Sequence, residues 1–235
     1  LDFSMPILIA IKEGEIMSQL SVPIQTDHPT KKLIVITNTK QWVDSEGVII
    51  QDDIFGQNSE VSTSRFCNIL QKHYLRCTKQ TLNLPTRPIL NTEFDFFLHK
   101  KFLLTLNDSS KISTSMFEEF WKWFGPVLHQ IKYNRFLLPI WNKGLVFGFI
   151  DKEKSNQLLH DYPTGTFLLR FSERKSGSLA LAYKQGNETV RHYLIRSSDT
   201  SGDGRSLPNF IRETDSLLQF FDIYGNIVDK FEALE

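Results

Sequence analysis

No run of this sequence stays apolar for the eighteen or so residues a membrane-spanning helix needs, so the chain offers no candidate for one. Cysteine is nearly absent: of 235 residues only Cys67 and Cys77 carry a thiol. They stand ten positions apart in a stretch of helical periodicity, roughly 15 Å along a helix, which is too far for a disulfide. Both are expected to be free thiols, as suits a reducing compartment. An excess of either charge is also missing, since 27 Lys and Arg balance 27 Asp and Glu. The balance is uneven, with four basic against eight acidic residues in 1–58, eleven against six in 59–138, and twelve against thirteen in 139–235. No segment is basic enough to be a nucleic-acid footprint on charge alone.

Patterns for catalysis and metal binding are missing as well. The histidines at 28, 73, 99, 129, 160 and 192 include no pair at three- or four-residue spacing, so no metal site is expected. Residues 108–119 have the length of a calcium loop, but Ser110, Ile112 and Ser113 stand where ligands and a glycine are required. Ser172 is not in a Gly-x-Ser-x-Gly elbow, and Gly202-Asp203-Gly204 lacks the third glycine of a dinucleotide fingerprint. Neither catalysis nor a cofactor is expected.

What is present is the patterning of a folded chain, 40% hydrophobic and 12% aromatic, whose period changes twice. Residues 1–58 read as β structure: "ILIAI" (7–11), "KLIVIT" (32–37) and "GVII" (47–50) are short β-branched runs between turn residues. Three strands are too few for an independent domain. From 59 to 138 the period is helical. Phe66, Ile69, Leu70, His73, Tyr74 and Cys77 fall on one helix face, and residues 91–106 are a second helical candidate. Ser115 to Glu118 is a capping box for a third, and Gly125-Pro126 predicts a break before a fourth. From 139 on, Asp151 is placed to cap a short helix over 152–160. Strands are predicted at 166–172, 178–184 and 189–196, with a tight turn at 185–187 and a final helix over 209–221. Helix, three-stranded meander and helix make an α+β domain of ordinary size.

One residue conflicts with that pattern. Arg170 lies inside the apolar run Phe167–Phe171 of a strand covered on both faces, where a charge is costly unless something of opposite sign meets it. No obvious carboxylate is available nearby. Strand alternation puts Leu168, Arg170 and Ser172 on one face, and His192 can share that side two strands away. Lys152 opens the first helix, and the loop 172–177 adds hydroxyls, backbone N–H groups, Arg174 and Lys175. Singly, these are an edge arginine, a packed histidine and solvated lysines. Together they form a set of donors around one guanidinium, whose chemical complement is a phosphate dianion bound bidentately.

"GTFLLRFSE" (165–173) followed by "VRHYLIR" (190–196) resembles the phosphotyrosine pocket of SH2 (Src-homology 2) domains. The resemblance implies that Arg170 binds the phosphate, that Ser172, Glu173 and Arg174 wrap it, that His192 lines the pocket, and that Lys152 is the basic residue of the first helix. Leu194 departs from the family, in which that position is often lysine. "LLPIWNKGLVFGFIDKEK" (137–154) is similar to the linker–SH2 junction of the STAT family, the signal transducers and activators of transcription. "LIVITNTKQW" (33–42) resembles the last part of their DNA-binding β domain, and "SLPNFIR" (206–212) the start of their second SH2 helix.

On this resemblance the chain is multidomain. Residues 1–58 are the C-terminal part of an Ig-like or β-barrel DNA-binding domain, 59–138 an all-α linker (EF-hand-like without calcium), and 139–235 an α+β SH2 domain, in a divergent, non-animal-type member. The implied function is that of a cytoplasmic and nuclear transcription factor acting downstream of a tyrosine kinase. A phosphotyrosine on one copy binds the SH2 domain of another, and the homodimer binds DNA, with Thr37 and Asn38 at DNA-contacting positions. Tyr224 sits too close to the domain body to be the tail site, so that tyrosine is expected to lie beyond Glu235 or to be absent. Two other readings of the same residues stay open: a phosphotyrosine adaptor without DNA binding, and an enzyme that holds a phosphorylated small substrate at Arg170.

Overall fold

The computed structural model describes residues 7–8, 19–20, 39–104, 110–186, 189–200 and 205–235, in two units, Leu1–Trp42 and Val43–Glu235. In the first unit, strands β1 (Ile7–Leu8) and β2 (Gln19–Leu20) pair antiparallel, with Ile7 opposite Leu20. β1 falls within the predicted strand 7–11. The predicted strand 32–37, and with it Thr37 and Asn38, lies outside the described residues.

The run 47–50, predicted as a strand, is helical: it belongs to α1 (Thr39–Phe55). Val43, Gly47, Ile50 and Ile54 recur at helical spacing and are buried, while Val48 and Ile49 stay exposed. Burying that stripe outweighs propensity differences that are below about 1 kcal/mol per residue. Gly47 is needed for a close approach. Trp121 crosses at this point to donate its Nε1–H to the Val43 carbonyl at 2.8 Å, and a Cβ on Gly47 would collide with the indole.

Two helix–strand–helix halves make up the helical region. The first is α1, β3 (Glu60–Ser62) and α2 (Thr63–Cys77). The second is α3 (Asn91–Phe96), which runs on as a π-helix (Phe97–Lys101), then β4 (Lys111–Ser113) and α4 (Thr114–Tyr133). β3 and β4 pair antiparallel through Val61 and Ile112. Ser62 and Ser113 cap the helices that follow them, each hydroxyl accepting an N–H three residues on at 3.3 Å. The cap of α4 is therefore Ser113, not Ser115. Nor does Gly125-Pro126 break this helix, which is continuous through Pro126. Phe124, Val127 and Leu128 on either side are fully buried, and their packing offsets the roughly 3 kcal/mol cost of an interior proline.

Aromatic rings carry the core from these helices into the sheet. Phe97 lies 5.3 Å from Phe120, 5.5 Å from Phe124 and 4.8 Å from Phe149 (ring centroids), and Phe149 stacks on Phe171 at 5.5 Å. After α5 (Leu137–Asn142) the chain forms β5 (Val146–Gly148), α6 (Lys152–Leu159), β6 (Thr166–Phe171), β7 (Leu179–Gln185) and β8 (Thr189–Leu194). It ends with α7 (Ser197–Thr200), α8 (Leu207–Glu213), β9 (Gln219–Phe221), β10 (Ile227–Asp229) and α9 (Lys230–Ala233). The strand order is β10-β9-β6-β7-β8, with β5 parallel to β6. The predicted meander is present as β6–β7–β8. The predicted helix over 209–221 is corrected: α8 stops at Glu213, and β9 joins the sheet parallel to β6. Phe220 and Phe221 are adjacent and both buried, which a strand between two covered faces allows. Asp222 then turns the chain by accepting the N–H groups of Tyr224 and Asn226 at 2.9 and 2.8 Å.

Candidate functional site

β6 is buried along its whole length because α6 covers one face and the aromatic core covers the other. The register sets Arg170 opposite Ala180 on β7, and Ala182 opposite His192 on β8. Arg170 and His192 thus share the α6 face, as strand alternation predicts. Between them β7 presents only the methyl groups of Ala180 and Ala182, both buried. The N-terminus of α6 lies beside Arg170, the two being joined through Glu173. Asp151 caps it by accepting the Lys154 N–H at 2.6 Å, and Lys152 is its exposed first residue.

Arg170 is 6% exposed, and its contacts are few and long. Nη1 donates to the Phe171 carbonyl at 3.3 Å and to Glu173 Oε1 at 3.4 Å, whereas Nε is buried with no hydrogen-bond partner among the described residues. A carboxylate therefore does reach the arginine, contrary to expectation: Glu173 folds back from the loop, and the same oxygen accepts the Lys152 backbone N–H at 3.0 Å. Burial lowers the guanidinium's pKa, against the opposing pull of Glu173 and Asp151. The cation is stranded in a dry place with a single long carboxylate contact.

The other predicted residues are distributed around it. Ser172 is buried at the end of the strand, and its hydroxyl accepts the Lys175 N–H at 3.0 Å, closing the loop on itself. His192 Nε2 is 2.7 Å from Asn156 Oδ1 on α6. Arg174 is exposed in the loop. Asn156 is a site residue that sequence reading missed. It lies four positions after Lys152, on the same helix face, and that spacing was the available signal.

Burial first, then the Arg170 and Lys152 charges, bring the pKa of His192 down from 6.5 to about 4. His192 is expected to stay neutral on NMR titration from pH 8 to 5, and Arg170→Ala should move its titration upward; a flat response in that variant would contradict the proximity of the two side chains. Unfolded His192 takes up a proton near pH 6.5 and the folded residue does not until about 4, so its contribution is present above 6.5 and is lost as pH falls toward 4.

One set of metal-type side chains comes together elsewhere among the described residues. Glu46 Oε1 is 2.7 Å from His73 Nε2 and accepts from Cys77 Sγ at 3.4 Å. Arg76 Nη2 lies 2.6 Å from His73 Nδ1. Arginine can only donate, so Nδ1 accepts and the proton sits on Nε2 facing Glu46. Glu46 thus sits against the buried side chains of both His73 and Cys77. Burial raises the thiol pKa of Cys67 to about 11 and that of Cys77 to about 12, which disfavours the thiolate near neutral pH.

Comparison with known proteins finds two domain families in the chain. Residues 38–134 match the EF-hand fold domain, and residues 145–220 match the SH2 domain. Two Dictyostelium discoideum proteins are similar over most of the chain. Signal transducer and activator of transcription B is 31% identical over 92% of it, and signal transducer and activator of transcription A is 30% identical over 84%. The chain spans 20% and 27% of those two relatives' lengths. With a helical region of EF-hand fold leading into an SH2 domain whose buried strand arginine sits where "GTFLLRFSE" places it, the chain belongs to the STAT family.

Proposed function

We propose that the chain binds phosphotyrosine at Arg170, as the SH2 part of a signal-dependent transcription factor that dimerises by reciprocal SH2–phosphotyrosine contact and binds DNA. The observation that carries this reading is the state of Arg170: nearly buried, with Nε unpaired and its best anionic partner 3.4 Å away. A phosphate dianion supplies two oxygens in the plane of the guanidinium and satisfies the fork that Glu173 meets at one corner. Lys152 and the N-terminus of α6 add positive potential above it, His192 and Asn156 form the far wall, and Ser172 and the loop up to Arg174 wrap the remaining oxygens. An aryl stem is long enough to reach an arginine buried in a strand, whereas phosphoserine is too short.

The rest of the reading draws on the relatives. Their names describe activators of transcription, and on that ground we assign DNA contact to Thr37 and Asn38, a homodimer as the DNA-binding form, and passage between cytoplasm and nucleus after phosphorylation by a tyrosine kinase. The reading involves no catalytic step. Calorimetry with a phosphotyrosine peptide, its unphosphorylated form and its phosphoserine analogue tests the pocket. Binding of the first alone is expected, and equal binding of all three would sink the assignment. Sedimentation of the full-length protein, phosphorylated and unphosphorylated, tests the dimer. Equal mass and equal DNA affinity in both states would favour an adaptor.

A further inference from the structure

The loop that follows Arg170 is held from behind by two residues far away in sequence. Trp123 on α4 donates its Nε1–H to the Ser172 carbonyl at 2.9 Å. Lys101, the last residue of the π-helix, donates from Nζ to the Glu173 carbonyl at 2.8 Å. The same ammonium stands 3.8 Å from the centroid of the Trp123 ring, which makes the two residues one unit. In return, the Ser176 hydroxyl donates to the Trp123 carbonyl at 2.6 Å, and Gly177 leaves the loop against Pro126.

The consequence lies in the geometry of the peptide bond. In a trans peptide the carbonyl of one residue and the N–H of the next point in opposite directions. Holding the Ser172 carbonyl toward Trp123 turns the Glu173 N–H the other way, and holding the Glu173 carbonyl toward Lys101 does the same for the Arg174 N–H. Neither amide donates a hydrogen bond among the described residues. Two successive free N–H groups facing one side of a loop form an anion-binding concavity. Here the side is set by the helical region rather than by the loop itself, whose internal bonds involve only the N–H groups of Ser172, Lys175 and Ser178.

We infer that Lys101 and Trp123 are positioning residues for phosphate binding: the helical region clamps two carbonyls of the loop 172–177 so that the Glu173 and Arg174 amides are aimed at the anion before it arrives. This inference rests on the phosphotyrosine reading of Arg170. It gives the helical region a part in ligand binding although neither residue touches the ligand. It also explains why a half-buried lysine is kept on an aromatic ring rather than in solvent.

The test uses the full chain with phenyl phosphate, a probe that reports the pocket without flanking peptide contacts. Trp123→Phe keeps the ring and removes the donor; Lys101→Met keeps the stem and removes the charge; Lys101→Arg keeps a donor. Affinity is expected to fall about tenfold in Trp123→Phe and about fivefold in Lys101→Met, with partial recovery in Lys101→Arg. Hydrogen exchange should quicken at residues 173–177 while β7 and β8 stay protected, a pattern that general destabilisation would not give. If wild type binds, Arg170→Ala does not, and both Trp123→Phe and Lys101→Met stay within twofold of wild type, the clamp is wrong and the phosphotyrosine reading stands. If wild type itself ignores phenyl phosphate, the reading falls and the inference with it. Should Trp123→Phe fold poorly, Lys101→Met decides, because Lys101 lies outside the fully buried core.

Discussion

Replacing Arg170 by alanine is expected to weaken binding of a phosphotyrosine peptide by at least about a hundredfold and to leave the chain folded. Hydrogen bonds between charged groups are worth roughly 1.5–3 kcal/mol each. Two from one guanidinium therefore account for about two to four powers of ten in affinity. The same substitution removes little from the free protein. Its hydrogen bonds to Phe171 and Glu173 are 3.3 and 3.4 Å long, and Glu173 keeps the Lys152 N–H when the arginine is gone. Loss of a desolvated cation also offsets part of the lost packing. Arg170→Lys should fall between the two, since an ammonium supplies charge without the planar fork. Titration calorimetry and thermal unfolding on the same samples separate the effects. Binding within about tenfold of wild type would remove Arg170 from the pocket, and collapse of the fold would show that its contacts in the free domain are stronger than their lengths imply.

How far the site could be read from the sequence depended on whether its contacts are local. The meander was legible because period-two alternation around Arg170 and His192 fixes a face for each, and the register through Ala180 and Ala182 keeps them together. The cap at Asp151 was legible because a helix start has a short-range chemical signature. Glu173 was in plain view three residues from Arg170, but nothing in a loop sequence tells which way its side chain folds back. Lys101 and Trp123 carried no signal at all. Their partners Glu173 and Ser172 are 72 and 49 positions away, and only the packing of α4 against the sheet brings them together.

The errors in element assignment have a common cause. In the run 47–50, in Gly125-Pro126 and in the stretch ending at Phe221, local propensity pointed one way and burial the other, and burial won each time. Four residues of β-branched character cannot outweigh a helical stripe that buries Val43, Ile50 and Ile54. One missing N–H at Pro126 cannot stop a helix whose flanks are fully buried. Phe220 and Phe221 fit a helical pattern only while the strand that Phe220 packs against, 4.4 Å away at Phe167, is unknown.

The largest loss of stability is expected from Glu93→Ala, at about 3–5 kcal/mol. Glu93 and Arg87 are 1% and 0% exposed and form a bidentate pair, Nη1 to Oε2 and Nη2 to Oε1, both at 2.8 Å. The carboxylate also accepts the Leu90 N–H at 2.9 Å and the Phe149 N–H at 3.1 Å, so it ties α3 to the chain just before the cap of α6. Arg87 in turn lies 4.3 Å from the centre of the Trp141 ring and donates to the Pro88 carbonyl at 2.6 Å. Truncating Glu93 leaves a guanidinium in the core without its anion and two backbone N–H groups without acceptors. Against a total of roughly 5–15 kcal/mol for an ordinary domain, that is about a fifth of the whole or more. The double substitution Arg87→Met with Glu93→Leu should cost less than Glu93→Ala alone, because it strands no charge. It should still cost something, since Leu90 and Phe149 lose their acceptor. Denaturant unfolding of the wild type and the two variants decides. A loss below about 1 kcal/mol for Glu93→Ala, or a double variant less stable than Glu93→Ala, would mean that the pair is not what joins α3 to the SH2 domain.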